Sequence, residues 1–120
     1  MVNFLNLQNF RLIFFQVFLI LTFFLSFKIS FAEGLPKRII SLSPSITEMI
    51  FAVGAGPQVI AVDSYSNYPS EAPITSLSSM DPSLEAIAFF EPDLVFVSYD
   101  IGNIVKGLND VGIKTILLPA

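Results

Sequence analysis

The sequence predicts an α/β fold, a Rossmann-like parallel sheet with flanking helices, and three observations lead there. Four short runs dominated by Ile, Leu and Val recur between residues 38 and 118. Segments with apolar residues at helical spacing separate most of them. Gly or Pro punctuates the junctions, as helix ends and turns require. Strands that read as near-continuous apolar runs are buried on both faces, which a parallel sheet under helical cover achieves.

The first element is not part of that alternation. Leu12 to Phe27 reads LIFFQVFLILTFFLSF, with Arg11 before it and Lys28 after it. Ser30-Phe31-Ala32 follows, small residues flanking a large one, which is the pattern signal peptidase reads after an apolar centre. Residues 1–32 are therefore expected to be a signal peptide, cleaved after Ala32. The alternative is an uncleaved anchor, although the run falls short of the ~20 residues a spanning helix needs. No Cys follows, which excludes lipid attachment at a lipobox.

Arg38 to Leu42, RIISL, is the first strand, bounded by Pro36 and Pro44. Ser45-Ile46-Thr47-Glu48 has the form of a capping box opening a helix. Ile46, Met49, Ile50 and Val53 would form its buried face, with Gly54, Gly56 and Pro57 ending it. Val59 to Val62, VIAV, is the second strand. A polar loop runs from Asp63 to Pro73, and Thr75 to Leu77 is a candidate short strand. Asp81 as N-cap and Pro82 at the first helical position would open the next helix. Leu84, Ile87 and Ala88 are its expected buried face, and Pro92 its stop. Leu94 to Val97, LVFV, is the third core strand. Ile101, Ile104, Val105, Leu108 and Val111 outline a third helix ending at Gly112, and Thr115 to Leu118, TILL, is the last strand. Ending directly after a strand, residues 33–120 read as an interrupted lobe; the alternative is a complete small α/β domain with an edge strand.

Composition narrows the chemistry. The 120 residues are 53% hydrophobic and 13% charged, with a net charge of −4. Residues 33–120 keep Lys37, Arg38, Lys106 and Lys114 against all ten acids. An acidic chain without clustered Lys and Arg is not a nucleic-acid binder. Cys and His are both absent, which excludes thiol nucleophiles, disulfides, Cys/His zinc sites and imidazole bases. No resident metal or cofactor is expected. Gly54-Ala55-Gly56 closes a helix rather than opening one after a strand, so it is not a dinucleotide fingerprint. A nucleotide-dependent enzyme on this fold would need a phosphate-binding turn after the first strand, where Ser43-Pro44-Ser45 stands.

Ligands of open α/β sheets bind beyond the carboxyl ends of the strands. Here those ends deliver Ser43 and Ser45, then Asp63, Ser64, Tyr65, Asn67 and Tyr68, then Ser98, Tyr99 and Asp100. Phenol rings beside small polar groups suit non-covalent capture of a sizeable organic molecule. Ser43, Ser64, Tyr65 and Tyr99 are the candidate ligand contacts. Ser45 and Asp100 are expected to serve as helix caps, and Glu48 as the return half of the capping box.

Three stretches in this order carry a likeness: RIISLSPSITEMIFAVGAG (38–56), VIAVDSYSNYPSEA (59–72) and PSLEAIAFFEPDLVFVS (82–98). Together they resemble the N-terminal lobe of the periplasmic substrate-binding proteins of ABC importers for cobalamin, haem and iron-siderophores. The likeness is closest to the cobalamin branch, through Ser64-Tyr65-Ser66-Asn67-Tyr68-Pro69. It implies two α/β lobes, with ligand held between them and Tyr65 against it. It also implies that Glu85 docks onto the importer's permease. The expected protein is then a periplasmic monomer, peripheral to the membrane, delivering a corrinoid or iron-chelate ligand without chemical change. A membrane-anchored interaction domain remains the alternative. Ser78-Ser79-Met80-Asp81 lacks the aromatic residue that cobalamin binders carry near this position, so the choice among these ligands stays open.

Overall fold

Strands β1 (Ile39–Leu42), β2 (Val59–Val62), β3 (Leu94–Val97) and β4 (Lys114–Leu117) form one sheet in the order β2-β1-β3-β4. All three pairings are parallel, as the unbroken apolar runs predict. The computed structural model describes residues 4–26 and 34–119. It divides into two units, one up to Gly34 and one from Leu35 onward.

The first unit is helix α1 (Phe4–Ser26). Its 23 residues give a length of about 34 Å at the α-helical rise. The helix starts eight residues before the apolar run noted in the sequence. Asn6–Phe23 is apolar and long enough to cross a membrane, a test that signal sequences also pass. The expected cleavage point after Ala32 lies outside the described residues.

In the second unit the chain steps from β1 to β2 on one side, then returns past β1 to β3 and continues to β4. Right-handed crossovers put the first connecting helix on one face and the later two on the other. The packing agrees. Ile46 and Ile50 of α2 (Pro44–Ala52) join Ile39, Val62 and Leu94. On the other face, Ile87 of α3 (Leu84–Phe89) and Ile104 and Leu108 of α4 (Ile104–Asp110) join Ile40, Leu42, Val95 and Val97. Alternate residues of β1 and β3 thus feed opposite cores, as a pleated strand dictates. In β2 the register slips: Ile39 pairs with Val59, yet Ile40 pairs with Ala61. That irregularity lets Val59 and Val62, three apart, face the same core.

The helices depart from expectation mainly at their starts. α2 opens at Pro44, with extended Ser43 in the N-cap position. β1 ends at Leu42, leaving one residue for the turn, and proline is preorganised for the first helical position. Ser45 is therefore inside the helix, and no capping box forms with Glu48. The buried stripe shifts to Ile46, Thr47 and Ile50, with Met49 and Val53 exposed. α3 opens at Leu84, not Pro82, because the Ser83 hydroxyl accepts from the Ala86 amide at 3.2 Å. Upstream, the Ser78 hydroxyl accepts from the Met80 and Asp81 amides and holds that stretch in its own turn. Ile87 is its buried residue, with Leu84 and Ala88 partly covered.

Thr75–Leu77 does not form a strand. One isolated bridge joins Val62 to Ile74, with the Val62 amide donating to the Pro73 carbonyl and the Thr75 amide to the Val62 carbonyl, and the Leu77 amide then turns to the Thr75 hydroxyl. The third expected helix is split by left-handed Gly102 and Asn103 into a 3-10 turn (Ile101–Asn103) and α4. Val111 lies beyond it and is exposed.

At the pole where the strands begin, a reciprocal clasp joins the start of β1 to the entry of β3. The Asp93 carboxyl accepts from the Lys37 and Arg38 amides at 2.8 and 3.1 Å. The Arg38 guanidinium in turn donates to the carbonyls of Phe90 and Glu91, where α3 has ended.

Candidate functional site

The reversal of strand order falls between β1 and β3, so the crevice at their carboxyl ends is the topological switch point of this sheet. Because every strand is parallel, the chain leaves β1, β2 and β3 at the same rim. Ser43 emerges from β1, Asp63 to Tyr65 from β2, and Ser98 to Asp100 from β3. β2 and β3 flank β1, so the Tyr65 and Tyr99 segments straddle the central strand, about 10 Å apart at the usual strand spacing.

The rim has an exposed layer and a buried one. Tyr65 is 66% exposed and Tyr99 57% exposed, and Ser64 is exposed beside Tyr65. The Ser64 amide donates to the Leu77 carbonyl at 3.0 Å, which anchors the loop just before Tyr65. Tyr68, also exposed, precedes Pro69 through a cis peptide. Ser43 belongs to the buried layer. Its hydroxyl lies 3.1 Å from that of Ser45, and its carbonyl accepts from the Thr47 amide. The Asp100 carboxyl accepts from the Val105 amide at 3.0 Å and so caps the start of α4 across the 3-10 turn, as the sequence suggests.

Sequence reasoning did not identify the full buried layer. Ser41, Thr47, Asp63 and Ser66 are all fully buried. The Thr47 hydroxyl is 2.9 Å from the Ser41 hydroxyl and 3.1 Å from that of Ser66, which donates to Asp63 Oδ1. Asp63 Oδ2 and the Ser98 hydroxyl are buried without a hydrogen-bond partner among the described residues. The available signal was a Ser inside an apolar strand and a Thr on the buried stripe of α2. Neither fact says that the two meet.

Glu85 stands apart from the rim contacts. It lies in the first turn of α3, exposed, with its carboxyl 3.2 Å from the Ser83 hydroxyl. The Arg38 clasp holds the other end of α3, so Glu85 is on the rim side of that helix. A separate groove of about 730 Å³ runs along α2 and the 68–73 segment, lined in part by Glu48, Phe51, Tyr68 and Pro73. Of the rim aromatics only Tyr68 borders it. Among the described residues no group of His, Cys, Asp and Glu is arranged to hold a metal ion. What the rim offers chemically is three accessible phenol rings, of Tyr65, Tyr68 and Tyr99, and small hydroxyls over a buried polar layer, which is equipment for holding a molecule.

Comparison with known proteins agrees with this geometry. The sequence profile described as periplasmic binding protein matches residues 39–119. A vitamin B12-binding protein of Pectobacterium carotovorum is 46% identical over 66 residues, covering 53% of this chain and 24% of that protein. The crystal structure of a periplasmic haem-binding protein of Vibrio cholerae superposes with a TM-score of 0.59 at 30% identity, over 68% of this chain and 33% of that one. A periplasmic vitamin B12 binding protein of Vibrio cholerae superposes with a TM-score of 0.55 at 28% identity, again over 68% and 33%. The chain spans about a quarter of the length of the curated relatives it matches.

Proposed function

The chain belongs to the periplasmic binding protein family, and from that premise we propose that it is the extracytoplasmic substrate-binding component of an ABC importer. It captures a cobalamin-like or iron-chelate ligand and hands it to a permease, with no chemical step. The observation that carries this reading is the pair of exposed tyrosines, Tyr65 and Tyr99, straddling the switch point of a parallel sheet. Exposed aromatic rings on a rigid rim are a cost in a lone soluble domain and an asset where a flat apolar ligand must be held. The relatives' names supply the ligand class: vitamin B12 by sequence, and both vitamin B12 and haem by structure.

In this reading Tyr65 and Tyr99 supply ring faces to the ligand, Ser64 supplies a polar contact, and Ser43 lies under them at the start of α2. Glu85 serves the other surface, as a carboxyl that pairs with basic groups of the permease. The N-terminal segment directs export and is removed after Ala32, leaving residues 33–120 as the binding lobe. The length of α1 favours one second reading, in which the segment is retained and tethers the same lobe to the membrane.

The direct test is equilibrium binding of cyanocobalamin and of haemin to the exported protein, followed through ligand absorbance. Saturable binding of one of them supports the proposal and chooses the ligand. Absence of saturable binding of both, and of a ferric siderophore, up to millimolar concentration overturns it.

A further inference from the structure

A chain of buried hydroxyls runs beneath the Tyr65 loop, and ligand contact makes no direct use of it. We propose that Thr47 and Ser66 are positioning residues, a latch that ties the Tyr65 loop to α2 and β1 and so fixes the direction in which Tyr65 presents its ring. The proposal rests on the reading of Tyr65 as a ligand contact and adds the device that preorganises it.

The proton inventory identifies Thr47 as the link. The Ser66 hydroxyl donates its one proton to Asp63 Oδ1. The Ser41 hydroxyl donates its own to the Ser43 carbonyl at 3.2 Å. Both oxygens are then left as acceptors, and the Thr47 hydroxyl lies within 3.1 Å of each and 2.9 Å from the Ser43 carbonyl. Thr47 thus has one proton for these three acceptors, and its hydroxyl is the point at which the strand, the helix and the loop meet. Before Tyr65 the Asp63 amide donates to the Ser41 carbonyl and the Ser64 amide to the Leu77 carbonyl; from Tyr65 onward the backbone bonds are local, the Ser66 amide donating to the Asp63 carbonyl and the Asn67 amide to the Tyr65 carbonyl. Among the described residues, the Thr47–Ser66 contact is the hydrogen bond from this part of the loop to α2.

The burial pattern shows what the latch does. Ser66 is fully buried while Tyr65 and Asn67 on either side of it are exposed. Drawing Ser66 inward turns its neighbours outward. A buried polar chain of this kind specifies one geometry, because each hydroxyl must find its partner or lose a hydrogen bond in a low-dielectric interior. An apolar contact at the same place would hold the loop without fixing its rotation.

Thr47→Val tests this with little disturbance, since it keeps the side-chain shape and leaves the Ser41 and Ser66 protons with acceptors. The full chain has three tyrosines and no tryptophan, so Tyr68→Phe with Tyr99→Phe leaves Tyr65 as the sole emitter. Its anisotropy decay without ligand is expected to gain a fast component in Thr47→Val and not in Thr47→Ser, which retains the hydroxyl. With all three tyrosines present, Thr47→Val is expected to weaken cyanocobalamin binding about fivefold, the effect of one net hydrogen bond. Thr47→Ala cuts the same link, leaves the Ser66 donation to Asp63 in place, and provides the measurement where Thr47→Val does not fold. An anisotropy decay unchanged in the folded variant overturns the proposal, whatever the affinity does. A freed Tyr65 with unchanged cyanocobalamin affinity upholds the latch and removes Tyr65 from the ligand site.

Discussion

Tyr65→Ala separates a ligand-holding residue from a structural one, and the structure sets the size of the effect. Tyr65 is 66% exposed, so its ring makes few contacts that folding depends on. An exposed side chain of this kind changes stability by no more than about 0.5 kcal/mol when truncated. Binding is different. A tyrosine presents roughly 200 Å² of surface, of which about two-thirds, or ~130 Å², is still in contact with water here. A flat ligand laid on one ring face covers roughly half of that, and ~65 Å² at ~25 cal/mol/Å² is about 1.6 kcal/mol. That corresponds to an increase in Kd of about fifteenfold. The assay is cyanocobalamin or haemin titration of both proteins, paired with thermal unfolding of each. A Kd within twofold of the parent removes Tyr65 from the site. A fall in Tm as large as the loss in affinity assigns it to the fold instead.

Three further outcomes are expected. Glu85→Arg should leave ligand affinity and Tm unchanged while impairing ligand uptake by cells that depend on this protein; normal uptake would remove the docking role. Ser83→Ala should destabilise by about 1 kcal/mol in urea unfolding, as loss of an N-cap does, whereas Asp81→Ala should stay within about 0.5 kcal/mol; the reverse order would restore the cap to Asp81. Intact-mass measurement of exported protein should find a species beginning at Glu33, and a mass that includes residues 1–32 would favour the tethered form.

The sheet was legible in the sequence because burial on both faces leaves an unbroken apolar run. The runs ending in Leu42, Val62 and Val97 and the run through Ile116 became the four parallel strands within one residue of their expected bounds. Helix starts were less legible. Two residues competed for the N-cap of α2 and two for that of α3, and the choice depended on the surrounding structure. Ser43 won because β1 ended beside it, and Ser83 won because Ser78 had already claimed the turn before Asp81. The rim was legible in outline, since a parallel sheet gathers the residues that follow its strands. The buried layer beneath it was not. Thr47 meets Ser41 across six positions and Ser66 across nineteen, and no local pattern encodes contacts at those separations.

The clasp between Arg38 and Asp93 fixes where the chain enters the sheet. Lys37 and Arg38 are moored where the strands begin, at the far end of the sheet from the tyrosine rim. Tension applied along the chain upstream of Lys37 would therefore load the base of the sheet and not the strand ends that carry the tyrosines.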